Sequence, residues 1–221
     1  MKHLIIIAAG GFGRETYCSA IEAIGFGTEF DIKGFLDDNP KALDGYEGYP
    51  PIIGTTDNYE PQEDDIFQCA VGNVRTRRFL CEKILAKGGE FLTLIHKTAY
   101  LSKNVKVGKG CMILAGARIQ CDAKVGDYVI MQPYSILGHD VQVGNWSLIN
   151  ALADCGGMSK VGEMCTINTT AFILPLSKVE DGATVGAESL VLRKVKAGQT
   201  VMGVPAKPLV MPGMPRKKLI V

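Results

Sequence analysis

His139 is followed directly by Asp140, and Gly157 stands eighteen residues further along the chain. A neutral imidazole can take a proton from an amine or a hydroxyl as that group attacks an acyl carbon, and a neighbouring carboxylate can hold the ring in one tautomer. A bare glycine N–H close by could stabilise the oxyanion that such an attack creates. The plainer alternative is a surface imidazole with no chemical task. Cys121, eighteen residues before His139, raises the option of a thiol nucleophile paired with the histidine. Acyl transfer to an amine needs no covalent intermediate, however, so Cys121 is read as structural, and Cys111, Cys155 and Cys165 as core.

A second group of candidates lies in the first ninety residues. The apolar run Leu4 to Ala9 meets Gly10-Gly11-Phe12-Gly13 and then a helical stretch from Arg14 to Ile24. This reads as a βα phosphate-binding turn, an approximate G-x-G-x-x-G with Ala8 in the first glycine position. A second strand, Ile32 to Leu36, ends in Asp37-Asp38-Asn39, where a carboxylate could meet a ribose or a base. A third, Ile66 to Val71, runs into Gly72-Asn73, with Arg75, Arg77 and Arg78 on the helix that follows. A helix N-terminus with an arginine suits a phosphate. The alternative for each element alone is a structural glycine turn or a solvated basic face. Three of them at the carboxyl ends of three consecutive strands favour a small Rossmann-like nucleotide pocket built from Gly11, Phe12, Gly13, Asp37, Asp38, Gly72, Asn73 and Arg77.

The elements that must position the histidine come from an internal repeat. From Val107 an apolar residue recurs every six positions through Ile113, Ile119, Val125, Met131, Leu137 and onward to Val191 and Ala197. Four places after each comes a small or β-branched residue, from Cys111 and Ala117 to Val195 and Val201. Read this way, the stretch from 107 to 202 is an uninterrupted run of hexads, with two more reaching back to Ile95. No helical period and no simple strand alternation fits this pattern, whereas a solenoid with one flat face per hexad does. Glycine often follows the apolar residue, as at Gly108, Gly126, Gly144 and Gly162, and turns between faces would call for unusual φ values there. The expected organisation is therefore an α/β Rossmann-like domain over 1–94, an all-β parallel β-helix over 95–204 and a C-terminal tail over 205–221.

Composition narrows the functional classes. In 221 residues, 24 Lys and Arg nearly balance 23 Asp and Glu, and no basic block with interleaved aromatics suggests a nucleic-acid partner. The Leu4–Ala9 run is too short for a membrane span and lacks the layout of a signal peptide, so a cytoplasmic protein is expected. Seven cysteines, an odd number with no CxxC pair, fit a reducing compartment without disulfides.

The hexapeptide pattern resembles that of the left-handed β-helix acyltransferases, in which three hexads make one triangular coil and residues eighteen apart stack along one edge. On that resemblance the third residues of the hexads form three columns: Asp127, Asn145, Glu163, Asp181, Gln199; Pro133, Ala151, Thr169, Ala187, Pro205; and Cys121, His139, Gly157, Pro175, Arg193. The first is polar throughout, as a solvated edge should be. The other two are suited to a homotrimer in which the small-residue edge of one subunit faces the His139 edge of the next. The γ-type carbonic anhydrases share this solenoid but use three histidines for zinc, and with only His3, His96 and His139 in the chain no metal site is expected.

Over nearly the whole chain the sequence resembles the bacterial sugar O/N-acyltransferases related to sialic acid O-acetyltransferase, and most of all the UDP-4-amino-sugar N-acetyltransferases of the bacillosamine pathway. The strings that carry this are Gly10-Gly11-Phe12-Gly13, Phe35-Leu36-Asp37-Asp38, Val71-Gly72-Asn73, Leu94-Ile95-His96-Lys97, Gly138-His139-Asp140 and Gly203-Val204-Pro205-Ala206-Lys207. The resemblance implies an acetyl-CoA-dependent acetyltransferase acting on a nucleotide-linked amino sugar, with His139 as general base and Asp140 as its acidic partner, where relatives often carry Glu. It implies that Gly157, Thr169 and Ala187 line the acetyl-pantetheine groove, with Lys207 near the CoA nucleotide. An O-acetyltransferase of the sialic acid type and a non-catalytic nucleotide-sugar binder are the alternatives. Two departures stand out: Leu148 replaces a second histidine common in relatives, and Leu152 replaces a usual glycine. Arg216 to Lys218 in the tail are a further candidate contact for CoA phosphates.

Overall fold

The apolar runs of the first ninety residues form a five-stranded parallel sheet in a computed structural model, which describes residues 1–209; Arg216 to Lys218 lie outside them. The strands are β1 (Lys2–Ile7), β2 (Phe30–Leu36), β3 (Ile52–Gly54), β4 (Asp65–Cys69) and β5 (Glu90–Phe91), in the order β3-β2-β1-β4-β5. Helices α1 (Gly11–Ala20) and α2 (Val74–Ala86) complete the layer. Leu4 to Ile7 are buried on both sides, as the centre of a parallel sheet demands. The short β3 intervenes between the second and third strands read from the sequence, yet β1 still lies between β2 and β4. The loops that follow these three strands are therefore neighbours at one edge.

From Leu94 the chain winds into a left-handed β-helix of short strands on three parallel faces. The first face runs from Leu94–Ile95 through Met112–Ile113, Ile130–Met131, Leu148–Ile149, Thr166–Ile167 and Thr184–Val185 to Thr200–Met202. The second runs from Tyr100–Leu101 through Ile136–Leu137 and Asp154–Cys155 to Leu190–Val191, and the third from Lys106–Val107 through Gln142–Val143 to Lys194–Val195. The repeating apolar residue and the small residue four places later point inward together and form one continuous core, with Ile113, Ala117, Ile119 and Ala123 fully buried.

Two details differ from the sequence reading. The hexad register holds through Val191 and then breaks: Val179 pairs with Val195 and Thr184 with Thr200, a separation of sixteen residues in place of eighteen. The corner after Val191 is two residues shorter, so Val195 and Val201 take the inward strand positions while Ala197 is exposed. Arg193, Gln199 and Pro205 accordingly drop out of their columns; Arg193 takes the rung that Ser177 fills one coil earlier. The glycines also serve another purpose. Left-handed φ values fall two residues later, at Tyr128, Asp140, Trp146, Leu152 and Met158 among others. A Cβ on Gly108, Gly126 or Gly162 would stand 2.2–2.4 Å from a side-chain oxygen of the next coil, so close stacking, not φ, excludes a side chain. From Asp122 onward each left-handed non-glycine residue of the solenoid is held by a coil-to-coil bond, such as Tyr128 N–H to Lys109 O and Met158 N–H to His139 O. Those bonds offset the roughly 1–2 kcal/mol that the conformation costs a non-glycine residue.

The α/β domain docks on the first coils of the first face. Leu4, Ile6, Phe30 and Phe35 share a buried cluster with Met112, Leu114, Ile130 and Leu148. Leu148 thus serves the interdomain core. Two buried polar side chains peg the domains together. Gln68 donates to Leu92, Gly110 and Cys111 carbonyls, and Arg77, 2% exposed, donates to the carbonyls of Val71, Tyr128, Trp146 and Ser147. Among the described residues no helix is long and apolar enough to cross a membrane.

Candidate active site

His139 sits at the corner between the second and third faces. Its Nδ1 lies 2.8 Å from Asp140 Oδ2, and both side chains are about half exposed at 53%. A pair this open contributes little to stability; its consequence is orientation, since a carboxylate on Nδ1 leaves Nε2 as the free ring nitrogen. Asp140 is fixed in turn by its left-handed backbone and by its N–H bond to Cys121 O at 3.0 Å. Across the coil the ring edge rests on Gly157, where a Cβ would come within 2.5 Å of Nε2. The glycine notch is therefore filled by the imidazole itself, and no other residue fits that position without moving the ring. The Gly157 N–H has no acceptor among the described residues, and neither does that of His139. A proton acceptor and an uncommitted donor thus share one corner.

The α/β domain offers a second array of free donors. Ala8 has φ +76°, and a Cβ on Gly13 would fall 2.1 Å from Ala8 O, so the turn closes only with glycine there. Asp37 spans the turn, accepting from Ala9 N–H and Asn39 N–H at 2.8 Å each. Gly10 caps α1 without a side-chain bond, and the N–H groups of Gly11, Phe12 and Gly13 find no acceptor among the described residues. The Phe12 ring packs against the interdomain cluster. The start of α2 differs: Asn73 Oδ1 accepts from Arg75 and Thr76 N–H, so this helix caps itself and Asn73 spends its oxygen on the cap.

The arginines after Asn73 separate into three roles. Arg75 is exposed, Arg78 pairs with Glu82 at 2.7 Å, and Arg77 is the interdomain peg. The expectation that Arg77 meets a substrate phosphate is corrected by this geometry. Its two terminal nitrogens donate to carbonyls inside the protein while Nε is buried without a partner among the described residues, and burial lowers its pKa to about 10, still cationic at neutral pH.

The candidate substrate residues line several clefts. Asp37 and Asp38 border a small one of about 110 Å³. Gly11 shares one of about 440 Å³ with Arg14, Tyr49 and Gln132, the last on the coil that leads to His139. Gly72 and Asn73 open onto the largest, about 840 Å³, floored by Thr166, Asn168 and Thr184 of the first face. Arg14, held 3.6 Å over the Tyr46 ring, was not singled out from the sequence; only its place after the glycine turn could have marked it. The proposed CoA residues are not brought together in one subunit. Gly157 lies on the corner between second and third faces, Thr169 and Ala187 on the corner between first and second, and Lys207 is exposed on a short antiparallel strand beside Met202.

Comparison with known proteins agrees with this architecture. Residues 3–84 match the PglD N-terminal domain family. The acetyltransferase domain of PglB from Neisseria gonorrhoeae superposes with a TM-score of 0.85 at 32% identity, over 95% of this chain and all of that one. The chain belongs to the bacterial hexapeptide-repeat sugar acyltransferase family. The same Neisseria domain has been solved with acetyl coenzyme A. UDP-N-acetylbacillosamine N-acetyltransferase of Bacillus subtilis is 32% identical over 119 residues, a match that spans about half of each chain, 52% of both. PerB from Caulobacter crescentus, solved with CoA and GDP-perosamine, shares the fold at a TM-score of 0.84 and 24% identity over 95% of this chain and 98% of that one.

Proposed function

We propose that this member of the family transfers the acetyl group of acetyl-CoA to the amine of a nucleotide-linked amino sugar, as a cytoplasmic homotrimer. The observation that carries the reading is the His139 corner: Nδ1 held by Asp140, Nε2 free, and an unpaired Gly157 N–H beside it. The neutral amine attacks the thioester carbon and His139 takes the proton it sheds. The Gly157 N–H receives the oxyanion, and collapse of the intermediate breaks the C–S bond, with the imidazolium returning its proton to the departing CoA thiolate. The free N–H groups of Gly11, Phe12 and Gly13 suit the nucleotide diphosphate. Asp37 and Asp38 suit its ribose or base.

The trimer reading rests on the two corners. Gly157 on one and Thr169 with Ala187 on the other can border a single acetyl-CoA groove only across a subunit boundary. The Bacillus relative's name and the ligands in the Neisseria and Caulobacter structures support both substrate classes.

The test is a thiol-release screen with acetyl-CoA against UDP-, GDP-, dTDP- and CMP-linked sugars, amino and hydroxy forms side by side. Release with one nucleotide-linked amino sugar is expected. Release with hydroxy forms alone would make the enzyme an O-acetyltransferase, activity with free sugars alone would remove the α/β domain from substrate binding, and silence with every acceptor would favour a non-catalytic binder.

A further inference from the structure

The third face of the solenoid carries a row of charge that nothing in the fold requires. Its outward strand positions are Lys106, Lys124, Gln142, Lys160, Lys178 and Lys194, paired one to the next in register. Parallel strands lie about 4.8 Å apart, and like charges directly opposite one another in a sheet are destabilising. The corresponding positions of the first face hold no charge, and those of the second hold Arg118 and Asp154 only. Glu180 offsets Lys178 at 3.5 Å and Lys194 at 2.8 Å, whereas Lys106, Lys124 and Lys160 meet no carboxylate within 4 Å among the described residues. A shallow groove of about 330 Å³ runs between Lys124, Gln142, Lys160 and Lys178.

The position of this row gives it a use. The chain enters the third face from the His139 corner, so the one neutral rung, Gln142, belongs to the His139 coil, and Lys124 and Lys160 flank it on the coils before and after. The first face is partly covered by the α/β domain, where the nucleotide sugar is placed above, whereas among the described residues the third face has no such cover. Of the two substrates, acetyl-CoA is the one left to approach from this side, and it carries three phosphate groups at the end remote from its thioester.

We propose that the Lys124–Lys160–Lys178 row captures the phosphate end of acetyl-CoA and guides its thioester to the adjacent His139 corner; this rests on the function proposed above. A charged wall of one sign raises local ligand concentration and association rate, and the gain fades as salt screens it.

The test is titration of CoA into the intact protein and into the triple variant Lys124→Gln, Lys160→Gln, Lys178→Gln at low and high ionic strength. The triple variant is expected to bind CoA about 10-fold more weakly at low salt, with the gap closing at high salt. It should turn over acetyl-pantetheine, which lacks phosphates, at the wild-type rate, and keep the wild-type KM for the nucleotide sugar. Its melting temperature should be unchanged or higher, because like-charge repulsion has been removed, which separates lost capture from a damaged fold. Equal CoA affinity in both proteins, or an equal loss for both substrates, would overturn the assignment. Absence of CoA binding to the wild type would instead sink the acyltransfer reading on which the row depends.

Discussion

Two corners of the same solenoid use the same backbone geometry for opposite ends. At the corner between third and first faces, side-chain oxygens tie coil to coil: Asp127 accepts from Lys109 N–H, Asn145 from Asp127 N–H and Asp181 from Glu163 N–H at 2.8–3.0 Å, and Glu163 accepts from the Asn145 side-chain amide at 3.4 Å. At the corner between second and third faces the stacked residues are His139, Gly157 and Pro175, and that ladder is missing. His139 turns its side chain to Asp140, Gly157 has none, and proline carries no acceptor beyond its backbone. Among the described residues the N–H groups of His139 and Gly157 stay uncommitted. One corner spends its polar groups on holding coils together, and the other keeps them for a ligand.

This contrast predicts that changes at one corner alter turnover and changes at the other alter stability. The largest effect short of removing the histidine is expected from Gly157→Ala, since its Cβ would displace the imidazole. The thiol-release rate should fall by about 100-fold, the scale of a misplacement near 1 Å, with little change in melting temperature. Asp140→Asn leaves the ring in place but weakens the hold on its tautomer. Because the pair is half exposed, the loss should be roughly 10-fold in kcat, far below that of a buried aspartate–histidine pair, again without loss of stability. Asp127→Ala at the other corner should show the reverse: about 1 kcal/mol lost in chemical denaturation for one missing bond to Lys109 N–H, and unchanged kcat. A large drop in turnover from Asp127→Ala would break the division between the corners.

Much of this architecture was legible in the residues because every coil writes its own evidence. The apolar residue and the small residue after it recur whatever the coil contacts, so the solenoid and its core needed no knowledge of neighbours. The misreadings arose where a neighbour decides. The shortened corner after Val191 is hidden in the sequence because Val195 and Val201 suit either register, and only their pairing with Val179 and Val185 shows which residues take the strand positions. Gly108 and Gly126 look like φ-driven turn glycines until the next coil's Asp127 and Asn145 are stacked on them. Arg77 looks like its neighbours Arg75 and Arg78 in sequence, and only the docking of α2 on the solenoid buries it. His139 could be singled out because a lone histidine beside a carboxylate falls on a repeat corner. The lysine row is not legible in the sequence because charges spaced eighteen residues apart form no run.

The most direct test of the account is the turnover of His139→Gln with acetyl-CoA and the nucleotide amino sugar at saturation, measured by thiol release alongside CoA affinity. Loss of the general base predicts a fall in kcat of about 100-fold or more with CoA affinity retained. Turnover at the wild-type rate in that variant would contradict it and place the proton transfer elsewhere.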